Sequence, residues 1–287
     1  MYTLARWLFL LLFLPAVAVA DFSVGGIDDP ASVGGIDNPA SVGGIDAPPD
    51  TPPATNFTLL ESCKAAYLMT SSGSETDVSG NNETLTESGD APTSAAVPSG
   101  YTGTSRDFER SDPDFLYHAD GGSTDIYGAD QPLTIIGWVR TENNTNDQVI
   151  VCKGGTGSDL QYYLRYDASD DGFWFCMSAN STPTQVCAIS ADGMENDVWT
   201  HVAAVYNDTD MRVYINGVLS SNSTYNPRSY SNGIQNGTGV FRVGSFGGSS
   251  HYDGLIYELG IFDEAFSAAQ VAESYATGLN GANSSGE

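Results

Sequence analysis

Acidic side chains in polar turns are the residues whose type and spacing best suit a bound metal ion. Three turns hold two or more aspartates close together, around Asp120, around Asp171 and around Asp208. A hard cation such as Ca²⁺ prefers carboxylate and carbonyl oxygens, which turns of this kind supply. Ordinary acidic hairpins have the same composition, so both interpretations stay open. We take Asp120 and Asp171 as the candidate calcium ligands.

The sequence lacks a catalytic pattern. A retaining glycosidase needs two facing carboxylates, yet no predicted strand carries acidic residues at alternate positions, and Glu258 stands alone beside Tyr257. His201 lies inside a predicted strand, where a core histidine is the better interpretation. No arrangement of serine, histidine and aspartate can be drawn either. We therefore predict a non-enzymatic protein without catalytic residues.

Tyrosines in polar loops are the candidate ligand-binding aromatic residues. Sugar binding needs exposed rings for stacking, with polar groups around them. Loops rich in glycine, serine and asparagine hold Tyr225, Tyr230 and Tyr252, which we assign as candidate ligand contacts. The chain has 15 tyrosines, so several would be exposed in any β-sandwich, and each one alone is weak evidence. The tryptophans on predicted strands are interpreted as core residues: Trp138, Trp174 and Trp199.

The four cysteines suit an oxidising compartment. Cys176 and Cys187 lie on two apolar runs joined by a polar turn, so they would face each other in a hairpin and form a disulfide. Cys63 would then pair with Cys152. Four cysteines allow three pairings, and the sequence does not exclude the other two. Zinc is a poor alternative, because no Cys-x-x-Cys occurs and the three histidines are scattered.

Eight Asn-x-Ser/Thr sequons mark candidate N-glycosylation sites. None has proline in the middle position, and nearly all fall in predicted turns, which suits a modification that needs surface loops. Loops rich in Asn, Ser and Thr also produce sequons by chance, yet a heavily glycosylated protein is the better interpretation. The candidate residues are Asn56, Asn82, Asn143, Asn180, Asn207, Asn222, Asn236 and Asn283.

The first 20 residues predict a cleaved secretory signal. A single Arg6 precedes an apolar run, and the small residues Ala18 and Ala20 suit a signal peptidase. No second long apolar run follows, so the mature protein is predicted to be secreted and soluble, without a membrane span. The formal charge of −26 argues against nucleic acid or an anionic membrane surface as a partner, because both would repel the chain.

A repeat with a period of nine residues follows the signal. The unit Ser-Val-Gly-Gly-Ile-Asp occurs three times between Ser23 and Pro49. Proline at every ninth position forbids a long helix or a central strand. The segment is therefore either a flexible spacer or an extended arm that adds to the strand edge of a neighbouring molecule. The apolar residues of this arm are Val24, Ile27, Val33, Ile36, Val42 and Ile45.

The stretch from Trp199 to Leu219 organises the rest of the predicted fold. Its first eight residues are mostly apolar on both alternating faces, as in an interior strand of a two-layer β structure. After a polar turn the next strand alternates, and Tyr214 is predicted to face outward. Asn216 and Gly217 then favour a type I′ turn, because both tolerate positive φ angles, and a short strand returns.

This block, W-T-H-V-A followed by V-Y-I-N-G, resembles the laminin-G-like branch of the concanavalin A-like lectin superfamily. Two further matches are the D-x-S-G-N loop at residues 77–81 and the closing strand at residues 254–259, and the resemblance covers residues 62–278. It implies a two-sheet sandwich. Several relatives bind calcium at a structural site or at the rim of the sandwich. The resemblance therefore implies that this chain binds calcium as well. The closing-strand aspartate that the family often offers to calcium is Tyr257 here.

The patterns together predict an all-β fold: a two-sheet antiparallel jelly-roll sandwich with a short C-terminal helix that begins at a capping box at Ser267. The predicted parts are a signal peptide (1–20), a repeat arm and linker (21–57), the laminin-G-like sandwich (58–279) and a flexible tail (280–287).

Two functions stay open for this protein. The first is a structural or adhesion subunit that assembles through the arm into an extracellular filament or coat, since head-to-tail contacts do not close. The second is a monomeric lectin-like module that binds glycans or matrix proteins, with or without calcium. The repeat and the sequons favour the first function, and the family resemblance favours the second.

Overall fold

The computed structural model describes residues 63–155, 159–179, 182–247 and 250–279. The predicted signal, the linker and the arm residues from Val24 to Ile45 lie outside the described residues, as do Asn56, Asn180 and Asn283. The described ranges contain sixteen strands and one helix. No helix in this part of the chain has the length and apolar character that a membrane span requires.

Two antiparallel sheets form the sandwich, which confirms the predicted all-β jelly-roll class. In chain order the elements are β1 (Cys63–Tyr67), β2 (Thr86–Ser88), β3 (Thr93–Ser94), β4 (Ser105–Phe108), β5 (Phe115–His118), β6 (Leu133–Thr141), β7 (Gln148–Lys153), β8 (Tyr162–Asp167), β9 (Gly172–Ala179), β10 (Thr182–Ile189), β11 (Thr200–Tyr206), β12 (Asp210–Ile215), β13 (Val218–Leu219), β14 (Arg228–Ser229), β15 (Phe241–Val243), β16 (Gly254–Phe262) and α1 (Ala268–Thr277). Sheet 1 has the order β13-β12-β11-β6-β16-β4-β3, with β1 on β16 and β14 on β12. Sheet 2 has the order β10-β9-β8-β7-β15-β5-β2.

The main core lies between the two sheets. Because successive side chains of a strand point to opposite faces, Phe173 and Phe175 of β9 enter this core while Trp174 points away from it. Strand β11 is buried along its whole length, as its apolar pattern predicts. Its Ala204 joins the main core, and its Val205 joins a second apolar layer on the other side of sheet 1.

Helix α1 makes this second layer by covering the outer face of sheet 1. The predicted capping box is present, since the Ser267 hydroxyl accepts from the Gln270 N–H and the Gln270 side chain accepts from the Ser267 N–H. Val271 of α1 packs in one buried cluster with Tyr214 of β12. Tyr214 points outward from sheet 1, as predicted, but it is only 4% exposed because α1 covers this face of the sheet.

Two local motifs shape the ends of sheet 1. Asn216 and Gly217 have φ angles of 49° and 80°, which confirms the predicted hairpin turn. In the D-x-S-G-N loop, one carboxylate oxygen of Asp77 accepts from the Ala66 N–H at 2.9 Å and the other accepts from the Glu83 N–H at 3.0 Å. Burial raises the pKa of Asp77, but these hydrogen bonds and two more from Ser79 outweigh the effect of burial and hold the pKa below its ordinary value. The motif thus holds β1 in place through the Ala66 N–H.

The cysteines form one disulfide. Cys176 and Cys187 are direct partners on β9 and β10, with Cα atoms 4.1 Å apart, and they form the bridge expected from the hairpin. Cys63 and Cys152 are free, buried thiols. Cys63 lies in the layer under α1, and Cys152 lies on the outer side of sheet 2. The expected Cys63–Cys152 bridge is therefore not formed, because the main core separates the two residues.

Candidate ligand-binding site

Among the described residues, no helix covers the outer face of sheet 2, which carries aromatic rings. Alternation along β8 places Tyr163 and Arg165 on this face, and alternation along β9 places Trp174 and Cys176 beside them. Phe246, which follows β15, packs onto the same cluster with its ring centroid 5.7 Å from that of Tyr163. Trp174 and Phe246 remain half-buried. This face therefore offers aromatic surface to a ligand.

A groove of about 270 Å³ lies among these rings. We call it the Trp174 groove, and its lining consists of Val149, Tyr163, Arg165, Trp174, Gln185, Phe246 and Ser250. Its lining includes three aromatic rings and one guanidinium, together with an amide and a hydroxyl. A groove with an apolar body and a few polar groups is the usual form of a small-ligand site.

Arg165 is held in place from several directions. Its guanidinium carbon lies 4.6 Å from the ring centroid of Trp174 and 5.9 Å from that of Tyr163. The same guanidinium forms ion pairs with Asp147 and Asp167. Burial raises the pKa of Asp167, but hydrogen bonds from neighbouring groups and the Arg165 charge together keep that pKa below its ordinary value. Arg165 thus forms a rigid stack with Trp174 without adding a free positive charge.

Only one of the three candidate tyrosines is available to a ligand. Tyr225 is 42% exposed, whereas Tyr230 is 4% exposed and Tyr252 is 0% exposed. The Tyr230 ring packs on Tyr206 and its hydroxyl donates to the Gly233 carbonyl at 2.8 Å. The assignments of Tyr230 and Tyr252 as ligand contacts are therefore wrong, because their polar loops fold back and insert both rings into the core.

Tyr225 lines a smaller pocket of about 210 Å³. We call it the Tyr225 pocket, and its lining is Asp170, Ile189, Ser190, Ala191, Asn222 and Tyr225. The Arg228 guanidinium lies 5.6 Å from the Tyr225 ring centroid. The pocket therefore repeats, on a smaller scale, the pairing of an aromatic ring with an arginine that marks the Trp174 groove.

The two candidate calcium ligands already hold protein partners. The Asp120 carboxylate accepts from the Lys153 Nζ at 2.5 Å, and this hydrogen bond keeps the pKa of Asp120 below its ordinary value. The Asp171 carboxylate accepts from the Tyr166 hydroxyl at 2.7 Å. The strand register places the two aspartates at opposite ends of sheet 2. Within the described ranges, no group of three or more His, Cys, Asp or Glu residues is arranged to hold a metal.

Glu258 and His201 lie under α1, away from the open face. A Glu258 carboxylate oxygen accepts from the Leu279 N–H at 2.9 Å. The His201 ring contacts the rings of Trp138 and Tyr275, and burial lowers its pKa to about 3. His201 is therefore a neutral core histidine. Both residues anchor the helix to sheet 1.

The described sequons fall into two groups. Asn82 and Asn236 are exposed, whereas Asn143, Asn207 and Asn222 are half-buried. In each of the latter three, the side-chain oxygen accepts from the backbone N–H of the threonine two residues later, at 3.1, 3.1 and 3.3 Å. These asparagines stabilise their own turns, and their glycosylation stays a prediction.

Most residues of the Trp174 groove are not among the candidates that the sequence indicates. The sequence pattern predicts Trp174 in the core, but this residue is half-buried on the outer face of β9. The available signal was the alternation in residues 172–177, where Phe173 and Phe175 occupy the inward positions. Arg165 has the same outward position on β8. What the pattern does not reveal is that this face of the sheet stays open.

Comparisons with known proteins agree with this architecture. Residues 119–272 match the family model described as the concanavalin A-like lectin/glucanases superfamily, just over half of the chain. A search of curated protein sequences found no significant match.

Similar solved structures include several binding domains. Domain 4 of AbnA, a GH43 extracellular arabinanase from Geobacillus stearothermophilus, in complex with arabinotriose, shares 16% identity over 74% of this chain and 97% of that chain, with a TM-score of 0.54. The botulinum neurotoxin serotype D ligand-binding domain in complex with N-acetylneuraminic acid shares 12% identity over 76% and 51%, with a TM-score of 0.54. The neurotoxin DC binding domain in complex with rat synaptotagmin II shares 11% identity over 76% and 52%, with a TM-score of 0.55. At these identities the likeness shows a shared fold, and this chain spans about half the length of the two toxin domains.

Proposed function

Because the chain belongs to the concanavalin A-like lectin/glucanases superfamily, we propose that it is a secreted, N-glycosylated, non-enzymatic module that binds glycans in the Trp174 groove. The observation that carries this proposal is the Arg165–Trp174 stack on the open face of sheet 2. Arabinotriose and N-acetylneuraminic acid in complexes of two structural neighbours support a sugar as the ligand class. The predicted signal, the sequons and the Cys176–Cys187 disulfide support secretion.

The groove has the chemistry that a sugar needs. The C–H faces of a sugar ring pack favourably on aromatic rings such as those of Trp174 and Phe246. Its hydroxyls need donors and acceptors, which Gln185, Ser250 and the edge of the Arg165 guanidinium supply. Since ion pairs and ring contacts already hold Arg165, little side-chain entropy is lost when a ligand binds.

The carboxylates beside the groove support a role without catalysis. A glycosidase uses one carboxyl group as an acid and another as a base or nucleophile. Asp147 and Asp167 both pair with Arg165, and the lowered pKa of Asp167 makes it a poor proton donor at neutral pH. These groups therefore serve to position Arg165.

Isothermal titration calorimetry after a screen of neutral and acidic oligosaccharides tests glycan binding. Trp174→Ala should weaken binding at least tenfold, which corresponds to about 1.4 kcal/mol. Trp199→Ala is the matched control, because Trp199 is also half-buried but contacts Tyr257 of sheet 1. Unchanged affinity of a folded Trp174→Ala protein would contradict the proposal, as would a screen in which no oligosaccharide binds. Added Ca²⁺ should leave the affinity unchanged, since Asp120 and Asp171 hold protein partners.

A second function is favoured by one edge of sheet 1. Within the described part of the chain, β13 is the last strand at this edge, and its Val218 is 70% exposed. Val218, Leu219 and Val198 are exposed apolar residues that share one groove of about 560 Å³. Exposed apolar patches and free strand edges are typical of association surfaces.

We also propose that the repeat arm of one molecule pairs with β13 of another. Val218 and Leu219 are consecutive, so they project to opposite sides of the sheet. Valine and isoleucine lie three residues apart in each repeat, as in Val24 and Ile27, and an extended arm would likewise present one on each side. Glycines between them permit close backbone approach. Such head-to-tail contacts would form filaments.

Light-scattering mass and negative-stain images of the mature protein test arm-dependent assembly. The full protein should form filaments or a ladder of oligomers, and a protein lacking residues 23–49 should be monomeric. Val218→Ser should also prevent assembly, whereas Val78→Ser, at an exposed valine that does not line the groove around Val218, should not. Monomers from the full protein would contradict assembly and leave the repeat as a spacer.

A further inference from the structure

The Trp174 groove and the Tyr225 pocket lie on one row across sheet 2 and beyond its edge. Arg165 of β8 is the direct partner of Trp174 of β9, which is in turn the direct partner of Ile189 of β10. The Ile189 N–H then donates to the Tyr225 carbonyl at 3.2 Å. Neighbouring strands are about 4.8 Å apart, so the row from Arg165 to Tyr225 extends over three spacings, about 14 Å.

The two concavities open to the same side of this row. Trp174 and Ile189 are directly opposed in an antiparallel pair, so their side chains share one face of the sheet. Trp174 lines the groove and Ile189 lines the Tyr225 pocket. Strand β10, whose Gln185 also lines the groove, is therefore the shared wall between them.

Polar groups near Tyr225 complete the second concavity. Asp170 lines it and supplies carboxylate acceptors suited to sugar hydroxyls. The Ser190 hydroxyl is buried and already donates to the Asp192 carbonyl at 2.6 Å. The Asn222 side-chain oxygen accepts from the Tyr225 N–H at 3.3 Å, and the Asn222 carbonyl accepts from the same N–H. The Tyr225 backbone is thus fixed before a ligand arrives.

We infer that the groove and the pocket are two subsites of one cleft that binds a linear oligosaccharide, an inference that rests on the proposed glycan-binding function. One sugar unit stacks at Trp174 and a second stacks at Tyr225, with the intervening units over β10. Each unit of a linear glycan advances by roughly one strand spacing, so about three to four units fill the cleft. A disaccharide fills the Trp174 groove alone.

The sequon at Asn222 bears on the second subsite. Asn222 lines the Tyr225 pocket, so a glycan attached there would occupy the place of the ligand. Thr224 is exposed, and Thr224→Ala removes the sequon while it keeps the Asn222 side chain and the backbone N–H groups that hold it. Titrations are therefore made on the full protein and on the same protein with Thr224→Ala.

Calorimetric titration with arabino-, cello- and laminari-oligosaccharides of two to six units tests the inference. In the Thr224→Ala protein, affinity should rise about tenfold between two and four units, about 1.4 kcal/mol, and then level off. Tyr225→Ala should remove this rise and leave disaccharide affinity unchanged. Trp174→Ala should weaken binding at every length. Tyr127→Ala, at an exposed tyrosine in the loop after β5, is the matched control and should have no effect.

The outcomes separate the two proposals. The two-subsite cleft is overturned if a tetrasaccharide binds no more tightly than a disaccharide. It is also overturned if affinity still rises with oligosaccharide length in the Tyr225→Ala protein. The Trp174 groove stands in that case, provided that disaccharides bind and Trp174→Ala weakens them. An absence of binding at all lengths in all three series overturns the cleft and counts against the proposed function as well.

Discussion

The outer faces of the two sheets differ although the same strand geometry produces both. On sheet 1, α1 and the residues before it cover the outward side chains, and a closed apolar layer results with Phe262 and Val271 fully buried. On sheet 2, the outward cluster keeps Trp174 and Phe246 half-buried. A covered face stabilises the fold, and an open face with the same kinds of residue is available to a ligand.

The two faces also differ in the charge state of their ionisable side chains. Under α1, burial keeps His201 neutral, and its ring nitrogen lies 3.4 Å from the Ser274 hydroxyl. On the open face, the charged guanidinium of Arg165 pairs with the carboxylates of Asp147 and Asp167. A closed apolar layer favours the neutral form of an ionisable side chain, whereas a partly exposed face accommodates charged side chains that form ion pairs.

The largest expected difference between the faces concerns two phenylalanines. Phe262→Ala should lower the free energy of unfolding by about 3–5 kcal/mol, because it removes a fully buried ring that packs 4.5 Å from the Phe266 ring. Phe246→Ala, on the open face, should cost about 1 kcal/mol. Urea denaturation followed by tryptophan fluorescence measures both values. Equal losses would refute the distinction between a covered and an open face.

The disulfide should matter next. Removing Cys176–Cys187 through Cys176→Ala and Cys187→Ala should cost about 3 kcal/mol by the loop-entropy relation, given a sequence separation of 11. The bridge joins the two strands that carry Trp174 and Gln185, so amide hydrogen exchange should increase more on β9 and β10 than on β11. An equal increase throughout both sheets would show that the open face is not a separate unit of stability.

A smaller effect should appear as pH falls. The folded pKa of His201, about 3, lies below the ordinary value of 6.5, so below pH 6.5 the unfolded chain binds a proton that the folded chain does not. Linkage then removes about 2 kcal/mol of stability between pH 7 and pH 5. His201→Gln should reduce this loss in urea denaturation at the two pH values. Identical pH profiles for the unsubstituted protein and the His201→Gln protein would contradict this account of His201.

The smallest expected effect concerns the sheet edge. Val218→Ser should change the free energy of unfolding by no more than about 0.5 kcal/mol, because the side chain is 70% exposed. Val213→Ser, two positions from the end of β12 and fully buried, should cost several times more. A large loss for Val218→Ser in urea denaturation would mean that the edge is a packed part of the sandwich and not a free surface.

Short-range patterns predicted much of the fold. The positive φ angles of Asn216 and Gly217, the capping box at Ser267 and the Cys176–Cys187 pairing all depend on residues close in sequence, and all three are present. Each rests on local geometry that a few residues determine by themselves. The candidate site depended on contacts between residues that are distant in sequence. Of the three tyrosines assigned to it, only Tyr225 is exposed.

Alternation and turn residues in the sequence specify the strands, the hairpins and which side chains of a strand share a face. Which of those faces is covered depends on the packing of distant elements in the folded chain. Tyr214 and Trp174 both occupy outward positions, yet α1 covers the first and leaves the second available. The period of two along a strand is a local property of the backbone, whereas burial depends on elements that are distant in sequence and meet only in the folded chain.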